Sequence, residues 1–378
     1  MKSRQITATL LAALILTATI AGCAATEQPV GQNAQTMQLA APLDQNTGSE
    51  ASDVQSMTYT FTDSCGREVE LPVNIDRIAP SGALSQIVLY TLCPDKLVGL
   101  SIQFDDMQSE YIDEKYTSLP VFGNFYGETL NLESVMLAAP QVIIDIGPVN
   151  PTAADDMDSI QGRTGIPAIF IHMDIDSMLT AYETLGRITG ETGQAQKLTG
   201  YIDQTLSETS RKLSATPVSE RPTVYYGLDD GLTAIVSGVV HSEVIELAGG
   251  INVAEVEQTI RGGASMISIE QLMLWNPDVM IFESNNIHES VASRAEWSEL
   301  GAIKTGRFYE IPNDPYNWIG RPPSVNRILG IKWLSNLLYP DIFDYDMIAE
   351  AREFFRLFYH CEVSNAQIES LLSKSTFK

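Results

Sequence analysis

One fourteen-residue segment occurs twice in this chain, and this repeat constrains the fold more than any other feature. Residues 131–144 read NLESVMLAAPQVII and residues 268–281 read SIEQLMLWNPDVMI, with six identical positions when they are aligned without gaps. The offset of 137 residues is far longer than the period of a solenoid. The repeat therefore predicts two similar domains rather than an array of short units.

Each copy of the repeat predicts a helix followed by a buried strand. Asn131 and Ser268 are good helix N-caps, and a glutamate follows in the first turn, where it faces the positive end of the helix. Pro140 and Pro277 end the helices, and a short apolar run comes next. This order is the α-then-β step of an α/β sheet.

The rest of the chain fits two such lobes. Strands alternate with short helices, which indicates mostly parallel sheets. Between the halves, Leu198, Ile202, Leu206 and Leu213 mark one face of a helix over residues 192–213, about 33 Å long. We therefore expect an α/β fold with two similar lobes of mostly parallel sheets, joined by a single long rigid helix, with a ligand cleft between them. The predicted parts are an N-terminal lobe at 58–190, a connecting helix at 191–215 and a C-terminal lobe at 216–378.

The N-terminus predicts export and lipid attachment. Lys2 and Arg4 precede an uncharged apolar run that is too short to span a bilayer comfortably. The run ends in Ile-Ala-Gly-Cys at residues 20–23, which resembles the lipobox of bacterial lipoproteins. The resemblance implies a signal peptide at 1–22 and a diacylglycerol on Cys23; the alternatives are an ordinary signal peptide and an uncleaved anchor. Residues 23–57 are mostly polar and contain no aromatic side chain and no lysine or arginine, which predicts a flexible tether.

The composition limits the partners of this chain. It has 48 acidic and 23 basic residues, a formal net charge of −25, which argues against nucleic acid or an anionic membrane face as a partner. Besides Cys23 there are Cys65, Cys93 and Cys361, without a CxxC pair. A disulfide between Cys65 and Cys93 and three free thiols are both compatible with the sequence.

Several segments together resemble a known family. FTDSCGREVELPVNIDRIAPSG at 61–82, the two repeat copies and GRFYEIPNDPYNW at 306–318 are similar to class III periplasmic binding proteins, over residues 59–370 in all. The resemblance implies an extracytoplasmic, lipid-anchored and monomeric binding protein of an ABC importer. It implies a metal chelate as ligand, an iron–siderophore complex first. Haem, a corrinoid, a nickel–amino acid complex and molybdate or tungstate are the alternatives, and no cofactor other than the lipid is expected.

The resemblance also gives a role to one glutamate in each repeat copy. In the family, a glutamate on each lobe docks into arginine pockets of the permease, which carries over to Glu133 and Glu270. Two carboxylates at rigid helix starts suit bidentate contacts with arginine. The alternative is that each carboxylate only completes its helix N-terminus.

In such a fold the ligand lies on loops at the carboxyl ends of the strands. Arginine with aromatic side chains suits a flat or anionic chelate. The predicted ligand contacts are Phe125, Tyr126, Tyr226, Arg261, Trp318 and Arg321. The alternatives are that Trp318 fills a core and that Arg321 makes a structural salt bridge.

The four histidines are scattered, which disfavours a site for a bare zinc or manganese ion. His172 is the one histidine expected near the cleft, as a ligand to a chelated metal. The chain has no GxSxG, HExxH, P-loop or GxGxxG motif, so we do not expect an enzyme. A ligand-sensing receptor that is not coupled to import is the remaining alternative.

Overall fold

Two β-sheets, one in each lobe, form the centre of the structure, and a separate hairpin precedes them. The computed structural model describes residues 57–283 and 285–376. The predicted signal peptide, Cys23 and the tether up to residue 56 lie outside the described residues. The described residues belong to one compact unit, so the two lobes are in contact with each other.

The N-terminal lobe begins with an antiparallel hairpin and continues into a parallel sheet of order β3-β4-β5. Its strands are β1 Thr58–Thr62, β2 Glu68–Pro72, β3 Ile78–Pro80, β4 Val142–Gly147 and β5 Ala168–His172. Its helices are α1 Ala83–Leu92, α2 Glu114–Thr117, α3 Leu132–Ala138, α4 Ala153–Thr164 and α5 Met178–Thr189. All residues of β4 are buried, as expected for the central strand of a sheet that is covered on both faces.

The connecting helix α6 spans Thr192–Leu213, as predicted from its apolar periodicity. Leu198, Ile202 and Leu213 are buried on one face, and Leu206 packs against the same core. The helix packs along α5 on one side and along the C-terminal lobe on the other. It therefore belongs to the core of the molecule as well as linking its lobes.

The C-terminal lobe has a mixed sheet of order β11-β10-β6-β7-β9, with β8 also paired to β6. Its strands are β6 Thr223–Leu228, β7 Thr233–Ile235, β8 Ile251–Asn252, β9 Ala264–Met266, β10 Val279–Phe282 and β11 Phe308–Glu310. Its helices are α7 Glu243–Leu247, α8 Ile269–Trp275, α9 Asn285–Val291, α10 Gly301–Lys304, α11 Asn326–Leu338, α12 Met347–Phe354 and α13 Asn365–Leu372. The pairs β10–β11, β6–β10 and β6–β8 are parallel, so the predicted α/β fold with mostly parallel sheets is confirmed.

The two repeat copies fold in the same way. The side chains of Asn131 and Ser268 each accept a hydrogen bond from the backbone N–H three residues later. Each helix then ends at a residue in the left-handed conformation, Ala139 and Asn276, before its proline and its buried strand. The predicted cap, helix and strand are therefore present in both lobes.

The lobes also meet through a segment near the C-terminus. A π-helical turn, Phe355–Tyr359, follows α12 and packs against α1 of the N-terminal lobe. The ring of Phe355 stacks on that of Tyr111 with the centroids 4.9 Å apart, and the hydroxyl of Tyr90 donates to the carbonyl of Tyr359 over 3.3 Å. The lobes are therefore joined in two places, by α6 and by this turn.

Two expectations about the chain as a whole can be compared with the structure. None of the helices among the described residues combines the length and apolarity needed to cross a bilayer. Cys65, Cys93 and Cys361 are all free thiols, so the pairing of Cys65 with Cys93 that the sequence left open is not formed.

Candidate ligand-binding site

A pocket of about 280 Å³ lies where the two lobes face each other, and we call it the interlobe pocket. Its N-terminal side comes from α1 and the loop that follows residue 101, and its C-terminal side from the loop after β11. The lining residues are Ala83, Gln86, Ile102, Gln103, Asp105, Met107 and Gln108 on one side, and Asn313, Asp314, Pro315, Tyr316, Asn317, Arg321 and Pro322 on the other. A second pocket of about 240 Å³ adjoins it through Met107, Asn313 and Asp314.

Buried Gln86 fixes the N-terminal wall of the interlobe pocket. Its side-chain oxygen accepts from the backbone N–H groups of Ser101 and Ile102 at 2.7 and 3.0 Å, and its amide nitrogen donates to the carbonyl of Ile102 at 3.1 Å. The backbone groups of Ser101 and Ile102 are thus held by one side chain on helix α1, so this wall is rigid. No pattern in the sequence singled out Gln86.

Arg321 is the one basic side chain that lines the interlobe pocket. Its Nε donates to Glu283 Oε1 over 3.0 Å, so the ion pair uses the inner nitrogen and not the outer Nη edge. The side chains of Arg321 and Glu283 are 35% and 25% exposed. Burial raises the pKa of Glu283, and the nearby Arg321 opposes that shift. Both sequence hypotheses for Arg321 fit this position, because it makes a salt bridge and also faces the pocket.

Tyr226 and Asn317 are buried neighbours close to Arg321. Neither the hydroxyl of Tyr226 nor Nδ2 of Asn317 makes a hydrogen bond of normal geometry within the described residues. Burial raises the pKa of Tyr226 well above its usual range, so the hydroxyl keeps its proton. The ring of Tyr226 belongs to the core and not to the pocket lining, so the structure does not bring it to the ligand surface.

Trp318 is fully buried, and the prediction that it contacts the ligand does not fit this position. Its indole nitrogen donates to the carbonyl of Asp314 over 3.0 Å. A Cβ at Gly330 of α11 would lie 1.8 Å from the carbonyl oxygen of Trp318, so the helix packs directly against this backbone. The indole therefore fills the core, the alternative that the sequence left open, and it holds the loop that carries Arg321.

Phe125 and Tyr126 lie on the N-terminal lobe but line a different pocket, of about 450 Å³. Phe125 packs against the core, whereas Tyr126 is about half exposed. The hydroxyl of Tyr126 donates to the buried carboxylate of Asp145 over 2.6 Å, and burial followed by the charge of Asp145 raises the pKa of the tyrosine. The structure therefore does not bring these aromatic residues together with Arg321 in one pocket.

Asp145 was missed by the sequence analysis. It is buried in β4 and accepts hydrogen bonds from the hydroxyls of Ser81, Ser85 and Tyr126. A carboxylate inside the apolar run VIIDIG was the available signal, because a buried charge needs dedicated donors.

Arg261 and His172 lie outside the interlobe pocket. Arg261 is exposed in the loop before β9. Nδ1 of His172 accepts from the backbone of Val149 over 3.3 Å, and its Nε2 lies 3.2 Å from the carboxylate of Asp174. Both ring nitrogens of His172 thus have partners within the N-terminal lobe. Among the described residues, no group of three or more histidine, cysteine, aspartate or glutamate side chains converges as a metal site does.

Carboxylates dominate the charge around the two adjoining pockets. Asp105 and Asp314 line the first pocket, and Glu110 lines the second together with Asp314. Burial raises the pKa of Asp314, and the negative charges of Glu110 and Asp105 raise it further. Glu310 and Lys374 also line the second pocket, so the two pockets combine two basic side chains, Arg321 and Lys374, with an excess of carboxylates.

Glu133 and Glu270 are exposed in the first turns of α3 and α8. The pKa of Glu270 is lowered, first by its own backbone N–H and then by the hydroxyl of Ser268. Both carboxylates are accessible to a partner, and at least Glu270 also contributes to its helix start.

Comparisons with known proteins agree with this architecture. A family model for periplasmic binding proteins matches residues 93–315. The chain is 23% identical over 319 residues to YvrC of Bacillus subtilis, named as an uncharacterized ABC transporter substrate-binding lipoprotein, covering 80% of this chain and 92% of YvrC.

Solved structures show the same fold over nearly their whole length. An ABC transporter solute-binding protein from Sulfurospirillum deleyianum is 28% identical with a TM-score of 0.76, covering 83% of this chain and 99% of that one. A periplasmic solute-binding protein from Veillonella parvula is 25% identical with a TM-score of 0.72, covering 84% and 98%. The family match spans more than half of the sequence, and the chain therefore belongs to the periplasmic binding protein family, among the class III substrate-binding proteins of ABC transporters.

Proposed function

We propose that this protein captures a compact metal chelate in the interlobe pocket, a ferric siderophore in the first place, and delivers it to an ABC importer. The observation that carries the proposal is the charge pattern of the pocket, which is lined by Arg321 together with Asp105 and Asp314. The guanidinium suits the anionic donor groups of a chelate, and the carboxylates suit its metal-centred positive charge. Gln103, Gln108 and Asn313 add neutral hydrogen-bonding groups around them.

The same pattern disfavours the simpler ligands. A molybdate or tungstate ion at Arg321 would be repelled by Asp105 and Asp314, which line the same pocket. A bare divalent ion would need several convergent ligands, and the described residues offer no such group. A chelate avoids the second problem because it brings its own metal ligands.

The volume of the site selects among chelates. Pockets for drug-sized ligands are usually about 300–1,000 Å³. The interlobe pocket of about 280 Å³ lies at the lower limit, and the adjoining pocket extends it. A compact ferric siderophore or a nickel–amino acid complex fits this range better than haem or a corrinoid does.

The delivery step uses the accessible carboxylates of the two lobes. Glu133 and Glu270 occupy the same place in the two repeats and are exposed. We propose that they dock the protein, held at the outer face of the membrane by a lipid on Cys23, onto arginines of the permease. The protein acts as a monomer in this scheme.

The ligand can be identified by thermal stabilisation of residues 58–378. The panel contains ferric siderophores of increasing size, the metal-free siderophores, nickel with histidine, haem, cobalamin, molybdate and free divalent ions. A ligand at about one hundred times its Kd should add about 2.7 kcal/mol to the stability. We expect a shift with a compact ferric siderophore and none with its metal-free form.

Two variants locate the site. Arg321→Met should weaken binding at least ten-fold, whereas Arg187→Met, at an exposed arginine on α5, should leave it unchanged. A shift with molybdate or a free ion alone would contradict the chelate proposal. Binding that is indifferent to Arg321→Met would place the ligand elsewhere.

A further inference from the structure

Four large apolar side chains are exposed at matched positions of the two repeats. Leu137 is 88% exposed and its counterpart Leu274 is 78% exposed. Met136 and its counterpart Met273 are 43% and 38% exposed. We call the exposed sides of α3 and α8 that carry these residues the twin helix faces.

Helix geometry places these side chains beside the docking glutamates. Residues three and four positions apart share one face of a helix, so Met136 and Leu137 lie on the side of Glu133. The same spacing relates Met273 and Leu274 to Glu270. The opposite sides are anchored by Val135 and Leu272, which are fully buried in their lobes. Each twin face is therefore a rigid surface with one carboxylate next to apolar groups.

The duplication distinguishes these residues from ordinary exposed hydrophobic side chains. Single apolar residues on a surface need no explanation, and the outer face of a helix is usually polar. Here the methionine and the leucine are identical in both copies, although eight of the fourteen aligned positions differ. The identical positions thus include the outward-facing residues as well as those that build the fold.

We infer that the twin helix faces insert their leucines and methionines into two apolar sockets on the permease, each lined by basic side chains. This inference rests on the proposed function, whose docking glutamates it shares. The carboxylates and the net charge of −25 disfavour an anionic lipid surface as the occupant. Each seven-residue helix is also too small to form the roughly 800 Å² per partner of a stable interface by itself. Two weak contacts on one partner give transient docking with useful affinity.

Photocrosslinking in cells tests which partner contacts the faces. A benzophenone amino acid replaces Leu137 or Leu274 in the full chain, with Val218 as the matched control because it is 63% exposed and lies outside the faces. We expect both leucine positions to crosslink to the same integral membrane permease, and the control not to. Crosslinks to a second copy of this chain, to lipid or to no partner would overturn the inference.

Affinity for that permease in nanodiscs tests the contribution of each side chain. Leu137→Ala and Leu274→Ala should each weaken the Kd by about ten-fold, and the double variant by about one hundred-fold, because the two sites are independent. Val218→Ala should bind as the wild type does. The loss should be insensitive to salt, whereas the loss in Glu133→Gln and Glu270→Gln should shrink as salt rises.

These measurements distinguish failure of the apolar sockets from failure of docking by the glutamates. If the double leucine variant binds within two-fold of the wild type while the glutamate variants are weak, the apolar sockets do not exist and docking by glutamates stands. If neither set weakens binding, the proposed docking fails as well. Ligand-induced stabilisation of every variant, measured on the same samples, checks that the fold and the interlobe pocket are intact.

Discussion

Replacing Arg321 by methionine should destabilise the folded protein, because Glu283 loses its ion-pair partner. The variant Arg321→Met removes the positive charge and keeps much of the length of the side chain. Glu283 is then left half-buried without its ion pair, whose atoms Nε and Oε1 are 3.0 Å apart. The control is the double variant Arg321→Met/Glu283→Gln, which removes the stranded charge.

The magnitude follows from the distance and the exposure of the pair. Two unit charges about 4 Å apart interact by about 4 kcal/mol at an effective dielectric constant near 20. Both side chains are partly exposed, and exposed pairs contribute only about 0–1 kcal/mol. We expect Arg321→Met to lose about 1–2 kcal/mol at pH 7, equivalent to a Tm lower by about 2–6 °C.

The pH dependence gives the sharper test. Burial raises the pKa of Glu283 and Arg321 lowers it, so the variant should raise it further. The folded state then binds more protons than the unfolded chain, so stability falls as the pH rises through the folded-state pKa. The loss should disappear below the unfolded-state pKa of about 4.3.

Thermal unfolding of the three proteins between pH 4 and pH 8 measures these effects. The double variant should recover most of the stability and lose the added pH dependence. Its ligand affinity should stay as low as that of Arg321→Met, because the contact with the ligand is still missing. A single variant as stable as the wild type at every pH would refute the role of the ion pair, and restored affinity in the double variant would refute direct contact.

Three further predictions concern Asp314 in the pocket wall, the hydrogen bonds of Asp145 and the packing of Trp318. Asp314→Asn should raise the Tm at pH 7 but not below about pH 4, because the raised pKa of Asp314 means that its charged form is unfavourable in the folded protein. Calorimetry at both pH values measures the change, and a lower Tm at pH 7 would contradict the prediction. Tyr126→Phe should cost about 1–2 kcal/mol in urea unfolding, because buried Asp145 loses one of its donors, and an unchanged midpoint would show that water replaces it. Gly330→Ala should destabilise the fold by more than 2 kcal/mol and weaken ligand binding, because the new Cβ displaces the backbone of Trp318. Thermal unfolding and ligand titration measure both effects, and wild-type values in both would contradict the packing.

The sequence predicted the architecture because the fold depends on patterns of several residues. The repeat, the caps and the prolines each agree with the others, so the two lobes and the place of the helix–strand steps followed directly. The connecting helix, predicted within 191–215, spans Thr192–Leu213, and the apolar residues from Leu198 to Leu213 that indicated it lie on its inner face. Such signals are redundant, and a single misjudged residue does not change the outcome.

Whether an individual residue lines the site depends on the orientation of its side chain, which the sequence does not specify. Trp318 lies in the segment that forms the pocket wall, but its indole turns into the core while Asn317 and Arg321 on either side line the pocket. Gln86 contributes through four hydrogen bonds to a loop that begins fifteen residues later, which no local pattern indicates. Side-chain orientation in an irregular loop is set by packing, so it was accessible only from the structure.

The two connections between the lobes determine how the interlobe pocket can select a ligand. Helix α6 joins the lobes on one side, and the stacked rings of Tyr111 and Phe355 join them again beside the pocket, since Tyr111 lines the adjoining cavity. Moving the lobes apart at this joint would expose the buried rings, and their burial opposes that movement. In the function proposed above, this joint would limit the size of the ligand, whereas Arg321 and the carboxylates that line the two pockets would select its charge.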